Sequence, residues 1–266
     1  MNTYDDVGHL SPESEATVKA VRAHCLTHID LFDRTNRLSM RLLQGELRRG
    51  GPDPFNKTLA ALVGTFVAIV IRRCQAAVMV AERGLGSEAD TLTRSALEHA
   101  FVLGSLLSDP QRCLVDLDAD DIHHKRRLLG LINERSDIRE ALSTGALESF
   151  ERSRAAYVDL PKGVGLHLKE HAEHAGYGFE YRSLYAVLSM SSAHPTNTVL
   201  REHSTWTSTR PQVEFGPDVD MGLHIDHATA VLLMSMKRVC ETYGLSDALA
   251  AIETLSDEHG RLQEKA

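Results

Sequence analysis

The chain has 266 residues, 42% hydrophobic and 25% charged, with a formal net charge of −8. That balance excludes a disordered polar chain, and the negative charge excludes broad, sequence-independent attraction to nucleic acid while leaving room for a local basic patch. The four cysteines, Cys25, Cys74, Cys113 and Cys240, stand far apart without C-x-x-C spacing, so buried free thiols are expected instead of a zinc or redox motif.

The first residues, Met1 to His9, are polar and acidic, the reverse of a secretory signal, and a cytoplasmic protein is expected. Ser11 followed by Pro12 reads as an N-cap and first helical position. Val18, Val21, Cys25, Ile29, Phe32 and Leu43 then recur at helical spacing, which predicts one helix to about Arg49. Gly50, Gly51, Pro52 and Pro54 stop it. A second helix starts near Asn56, with an apolar run from Leu59 to Ile71. Arg72, Arg73 and Gln75 break that run before the roughly 20 apolar residues of a membrane span, so the segment is expected as the most central helix of a bundle, with no membrane partner.

After the Gly84-Leu85-Gly86 turn, Ser87 reads as an N-cap, with Glu88 and Asp90 favoured at the positive end of the helix dipole. The helix that follows reaches Leu107. At about 100° per residue it places Leu92, Ala96, His99, Leu103 and Leu107 on one face and Arg94, Glu98 and Ser105 roughly opposite, beside Phe101 and Val102. Large apolar residues on both sides predict an interior ion pair between Arg94 and Glu98. The short turn predicts antiparallel packing of the second and third helices.

A fourth helix, about Gln111 to Glu134, carries an acidic start ahead of His123, His124, Lys125, Arg126 and Arg127. These read as a solvated face with i,i+4 pairs, or as a phosphate-facing patch through His123 and Lys125. A fifth runs from Ser136 to Tyr157. His167, His171 and His174 fall on one stripe if helical, but the spacing lacks the H-E-x-x-H arrangement and Lys169 opposes a dication, so no metal is expected there. From Phe179 to Ala193 a helix carries Tyr181, Tyr185, Leu188 and Ser192 on one face, with Ser189 beside it, and ends at His194 and Pro195. Buried tyrosine hydroxyls need polar partners, and Arg94 and Glu98 are the expected ones.

From Thr196 to Asp218 helical periodicity is lost. A short hairpin is expected from Thr205–Thr209 and Val213–Phe215 around Arg210 and Pro211. A helix from about Asp220 to Tyr243, closed by Gly244, returns through Leu223, His227, Val231, Met234 and Val239, with His224 and His227 read as core or surface histidines. The last helix spans about 246–265. The fold expected is an all-α, single-domain bundle of about eight or nine helices over residues 1–266, with a core at about 12–243.

The run Leu92-Thr93-Arg94-Ser95-Ala96-Leu97-Glu98, taken with Tyr181-Arg182-Ser183-Leu184-Tyr185-Ala186-Val187-Leu188-Ser189 and His194-Pro195, resembles an all-helical bacterial family of unknown function. That family shows an R-x-x-x-E helix and a later Y-x-x-L-S-x-x-x-x-H-P helix end. The resemblance covers about Leu59 to Val239 and implies an all-helical fold. Arg94 to His99 also fits the R-x(4-6)-H pattern of the HEPN superfamily, which implies a metal-independent endoribonuclease or defence effector without cofactor. Residues five apart on a straight helix diverge by about 140°, however, so His99 points away from Arg94. The site expected instead is assembled across helices, with Arg94, Glu98 and His194 catalytic and Tyr181, Tyr185 and Ser189 binding. In it His194 takes a 2′-hydroxyl proton, Arg94 stabilises phosphate charge and Glu98 orients. The other class is a non-catalytic module that binds a partner protein or small ligand. RNA or a partner protein is the expected partner, and a homodimer stays open.

Overall fold

The computed structural model describes residues 8–47, 57–158, 165–193, 204–206, 211–213 and 218–264. Among these, the regular elements are helices and one two-stranded hairpin, so the fold is all-α. In chain order the helices are α1 (Ser14–His24), α2 (Leu26–Leu42), α3 (Lys57–Ala81), α4 (Gly86–Ser108), α5 (Pro110–Glu134), α6 (Ser136–Ala141), α7 (Thr144–Val158), α8 (Leu168–His174), α9 (Gly178–Arg182), α10 (Leu184–Leu188), α11 (Gly222–Tyr243) and α12 (Ser246–Gln263).

Helices α3, α4, α5 and α11 keep close to their predicted bounds, while three predicted helices are each divided, the one over Ser136 to Tyr157 into α6 and α7, because one or two residues leave helical geometry without disturbing the apolar pattern. The first expected helix breaks at Cys25 (φ −100°, ψ 27°) and ends in a π-helical turn, Leu43–Leu47. The segment after Tyr177 breaks at Ser183 (φ −105°, ψ −83°) and closes in a second π-turn, Ser189–Ala193. Ser87 does not cap α4. It lies inside the first turn, and its hydroxyl donates to the Ser191 carbonyl at 3.3 Å. Asp109 is a true cap, accepting from the Arg112 amide at the start of α5. Strands Ser204–Trp206 and Pro211–Val213 pair antiparallel, with Thr205 opposite Gln212. A hairpin is thus present, but both strands start earlier than expected, Pro211 lies in the second strand instead of the turn, and Glu214 and Phe215 lie outside the described residues.

Helix α3 folds back on α4 through a turn in which Gly84 adopts φ +74°, a conformation that costs a residue with a Cβ. Helix α11 packs on both, and α2 and α12 pack on α11. By length and composition α3 is apolar enough to cross a membrane. Its Val63, Val67, Val70, Ile71, Cys74, Ala77, Val78 and Ala81 form one buried stripe, and Leu59, Leu62 and Phe66 of the apolar run are partly buried against the core.

The most central helices are α4 and α11, contrary to expectation for α3. From Ala100 to Leu107 every residue of α4 is buried, and α11 is buried on most sides from Ile225 to Cys240. The four cysteines are free and buried, and burial pushes the Cys74 thiol up to about 12.

Helices α4 and α8 meet at Gly104. A Cβ there would lie 2.6 Å from the Ala175 Cβ and 2.9 Å from the Tyr177 ring. Gly104→Ala is therefore expected to destabilise the protein by about 1–3 kcal/mol through overpacking, despite alanine's better helix propensity. Chemical denaturation checks this, and a variant as stable as the parent would show that the α8 turn simply gives way.

Candidate functional site

Helical spacing puts Asp90, Arg94 and Glu98 along one stripe of α4, each a turn beyond the last. The segment from α9 to the π-turn of Ser189–Ala193 lies along that stripe. Tyr185 meets the Arg94 end: the Arg94 guanidinium donates to its hydroxyl at 2.8 Å, and the hydroxyl donates to Glu98 Oε1 at 3.1 Å. Arg94 and Glu98 are also paired directly at 3.3 Å, and the guanidinium stands 5.0 Å over the Tyr185 ring. The break at Ser183 re-aims the tyrosines so that Tyr181 and Tyr185 stack at 5.1 Å and 12°. Phe101 packs against both rings. Burial raises the Tyr185 pKa, partly offset by the Arg94 hydrogen bond.

The Arg94–Glu98 pair is not the interior charge pair that the apolar flanks predict. The two side chains keep 24% and 33% of their exposure, because the short segments covering α4 leave an edge open beside Tyr185. The buried polar centre lies one turn earlier, at Asp90, which is 2% exposed. The Nδ1 atoms of His224 and His227, one turn apart at the start of α11, lie 3.0 and 3.2 Å from the same Asp90 Oδ1. Ser191 donates its hydroxyl to Asp90 Oδ2 at 3.0 Å. Burial by itself would raise the Asp90 carboxyl. The hydrogen bonds and charge of His224 and His227 overcome that and hold it well below the usual carboxylate range.

Among the described residues, Asp90, His224 and His227 are the one group of three or more His, Cys, Asp or Glu side chains whose ligand atoms come close enough to share an ion. Sequence reasoning missed it. Asp90 had a sufficient explanation as a first-turn acid, and only the i,i+3 spacing of the two histidines pointed to a shared face.

The other expected site residues are dispersed. Ser189 donates to the Tyr185 carbonyl of its own segment, so Ser191 delivers the hydroxyl to α4 instead. His123 lies beside His124 and Gly165, while Lys125 is held by Asp121 at 2.6 Å and the Tyr157 hydroxyl at 2.9 Å. Neither is among the groups that meet Arg94. His194 lies outside the described residues. His99 turns to the Ser95 carbonyl at 2.7 Å and to the Phe66 ring, so the Arg94–His99 pattern does not form a joint site.

The three histidines near α8 part company. His171 is buried against the Ser105 hydroxyl, His174 meets Arg112, and His167 precedes the first turn. A second carboxylate on α11, Asp226, pairs with His28 at 2.8 Å and lies 3.9 Å from His259.

Asp90→Ala is expected to cost about 3 kcal/mol or more, because it strands two imidazoles around a buried vacancy. Arg94→Ala is expected to cost only about 1 kcal/mol, since its pair is open to solvent. The Asp90 carboxyl is depressed from 3.8 in the fold, so its contribution is complete at neutral pH and is lost only as pH falls below that value toward the folded one. Urea unfolding of both variants against pH checks the order, and equal costs would overturn it.

A family model described as "Family of unknown function (DUF5677)" matches residues 60–210. No curated protein and no solved structure matches the chain.

Proposed function

We propose, for a chain that belongs to this family of unknown function, that it is an RNA-cleaving enzyme working along the Asp90–Arg94–Glu98 stripe of α4. The observation that carries this reading is the spacing. A carboxylate with two imidazoles and an arginine stand one helical turn apart on one face, about 6 Å between neighbouring positions. That separation suits a reactive group at one end of a phosphodiester and a charge-stabilising group at the other.

Arg94 is the binding end. Its guanidinium is a quarter exposed, and a phosphate oxygen can replace Glu98 as its anionic partner while the Tyr185 hydroxyl keeps the plane of the guanidinium fixed. The reactive end is the Asp90, His224 and His227 group, of which His224 is the most exposed member at 23%. His194, three residues beyond Ser191 in sequence, stays with this proposal as the sequence-derived proton acceptor.

A second reading, a non-catalytic module for a small ligand, is favoured by a cavity of about 510 Å³ lined by Tyr177, Glu180, Lys237, Arg238, Glu241 and His259.

Cleavage of a single-stranded RNA, with product ends identified, separates the two. The wild-type chain is expected to cut. Arg94→Ala should lose about a hundredfold in kcat/KM with little change in melting temperature, and Glu98→Gln should chiefly alter KM. RNA left intact by the wild-type chain, with and without added divalent ions, would sink the enzyme reading and leave the ligand-binding one.

A further inference from the structure

We propose that Asp90, His224 and His227 form a binding site for a divalent cation of the zinc class, with three protein ligands. The first support is geometric. The two Nδ1 atoms converge on one carboxylate oxygen at 3.0 and 3.2 Å, and the three ligand atoms all lie within 4.8 Å of one another. Tetrahedral zinc, with bonds of roughly 2.0–2.2 Å, holds its ligand atoms about 3.3 Å apart. The two distances to Asp90 Oδ1 thus have to open by only a few tenths of an ångström to admit such an ion.

The surroundings are those of a built site. Ser191 holds Asp90 Oδ2, which turns Oδ1 toward the histidines, the kind of outer hydrogen bond that orients a ligand carboxylate. Room for the His224 ring exists because residue 86 has no side chain: a Cβ on Gly86 would lie 2.5 Å from His224 Nε2. Asp90 and His227 are walled in, at 3% and 11% side-chain exposure, and although the His224 ring is 23% exposed its Nδ1 is buried with them. Three protein ligands leave one of the four positions of a tetrahedral ion to water or another small ligand. Two imidazole nitrogens and one oxygen suit zinc or another late first-row metal better than calcium or magnesium, which prefer oxygen alone. The neighbouring Asp226 group does not match this description, since its His259 stands 3.9 Å away.

The inference deepens the proposed function. It rests on that reading only for its chemical consequence, a Lewis acid one turn from Arg94 in place of the metal-independent chemistry that the HEPN likeness implies. Binding itself stands apart from any substrate.

The test uses the full chain, stripped with a chelator and titrated with zinc against a chromophoric competitor, with cobalt(II) as a spectroscopic probe of coordination. The expected result is one tight equivalent, a cobalt spectrum of tetrahedral type and a melting temperature that rises with zinc. His224→Ala, at a partly exposed position, and Asp90→Asn should each weaken binding by a hundredfold or more, while His167→Ala should bind like the wild-type chain. If Asp90→Asn fails to fold, His224→Ala decides alone. Absence of a stoichiometric equivalent, or His224→Ala binding as tightly as wild type, overturns the site. Zinc bound tightly by a chain that leaves RNA intact would remove the nuclease reading and keep the metal site. RNA cleavage indifferent to the chelator, with no zinc bound, would do the reverse.

Discussion

A carboxylate shut away from water on the most enclosed face of the bundle sets the terms for everything around it. Asp90 is 2% exposed, and an ionised carboxylate in such surroundings survives only if hydrogen-bond donors or positive charge are brought to it. Two elements do so: α11 supplies His224 and His227, and the π-turn after α10 supplies Ser191. Each is thereby fixed against α4. The wider turn of Ser189–Ala193 makes sense in this light, because it is the local distortion that brings a hydroxyl to Asp90 where a regular helix would present a different residue.

The open end of the same stripe obeys a different balance. Arg94, Glu98 and Tyr185 bond to one another at an edge that water reaches, so the cluster adds little to stability and keeps a charged group available. The stacked tyrosines and Phe101 beneath them give this edge a rigid apolar floor. A buried end that is expensive and an open end that is cheap, on consecutive turns of one helix, are what one expects of a site whose position is fixed by the core and whose partner comes from outside.

What was legible in the sequence follows from distance along the chain. The helices α3, α4 and α11 and the turn at Gly84 were readable because their signals are local, and the meeting of Arg94 and Glu98 with Tyr185 was readable because only those polar groups matched on two apolar faces. The degree of burial was not, since it depends on how short α9 and α10 are, and the break at Ser183 leaves no mark on hydrophobic spacing. Asp90 and His227 are 137 residues apart, and each had an adequate local explanation, as a first-turn acid and as a core-face histidine. No periodicity argument joins two such residues. Leu223 shows the same limit from the other side: it fits the apolar pattern of α11 but is 61% exposed, because it lies on the outward side of the helix with Lys237 and Glu241 while Gly222 and Ile225 beside it are buried.

The arrangement of polar groups at the start of α11 reaches further than the site. His224 and His227 point to Asp90 on α4, while Asp226, between them in sequence, points to His28 on α2 and toward His259 on α12. The first two turns of one helix are thus keyed on opposite sides into separate polar locks. Apolar packing alone tolerates a slide or a roll of a helix, since one leucine can stand in for another, but two locks of fixed spacing do not. The register of α11 is therefore determined digitally.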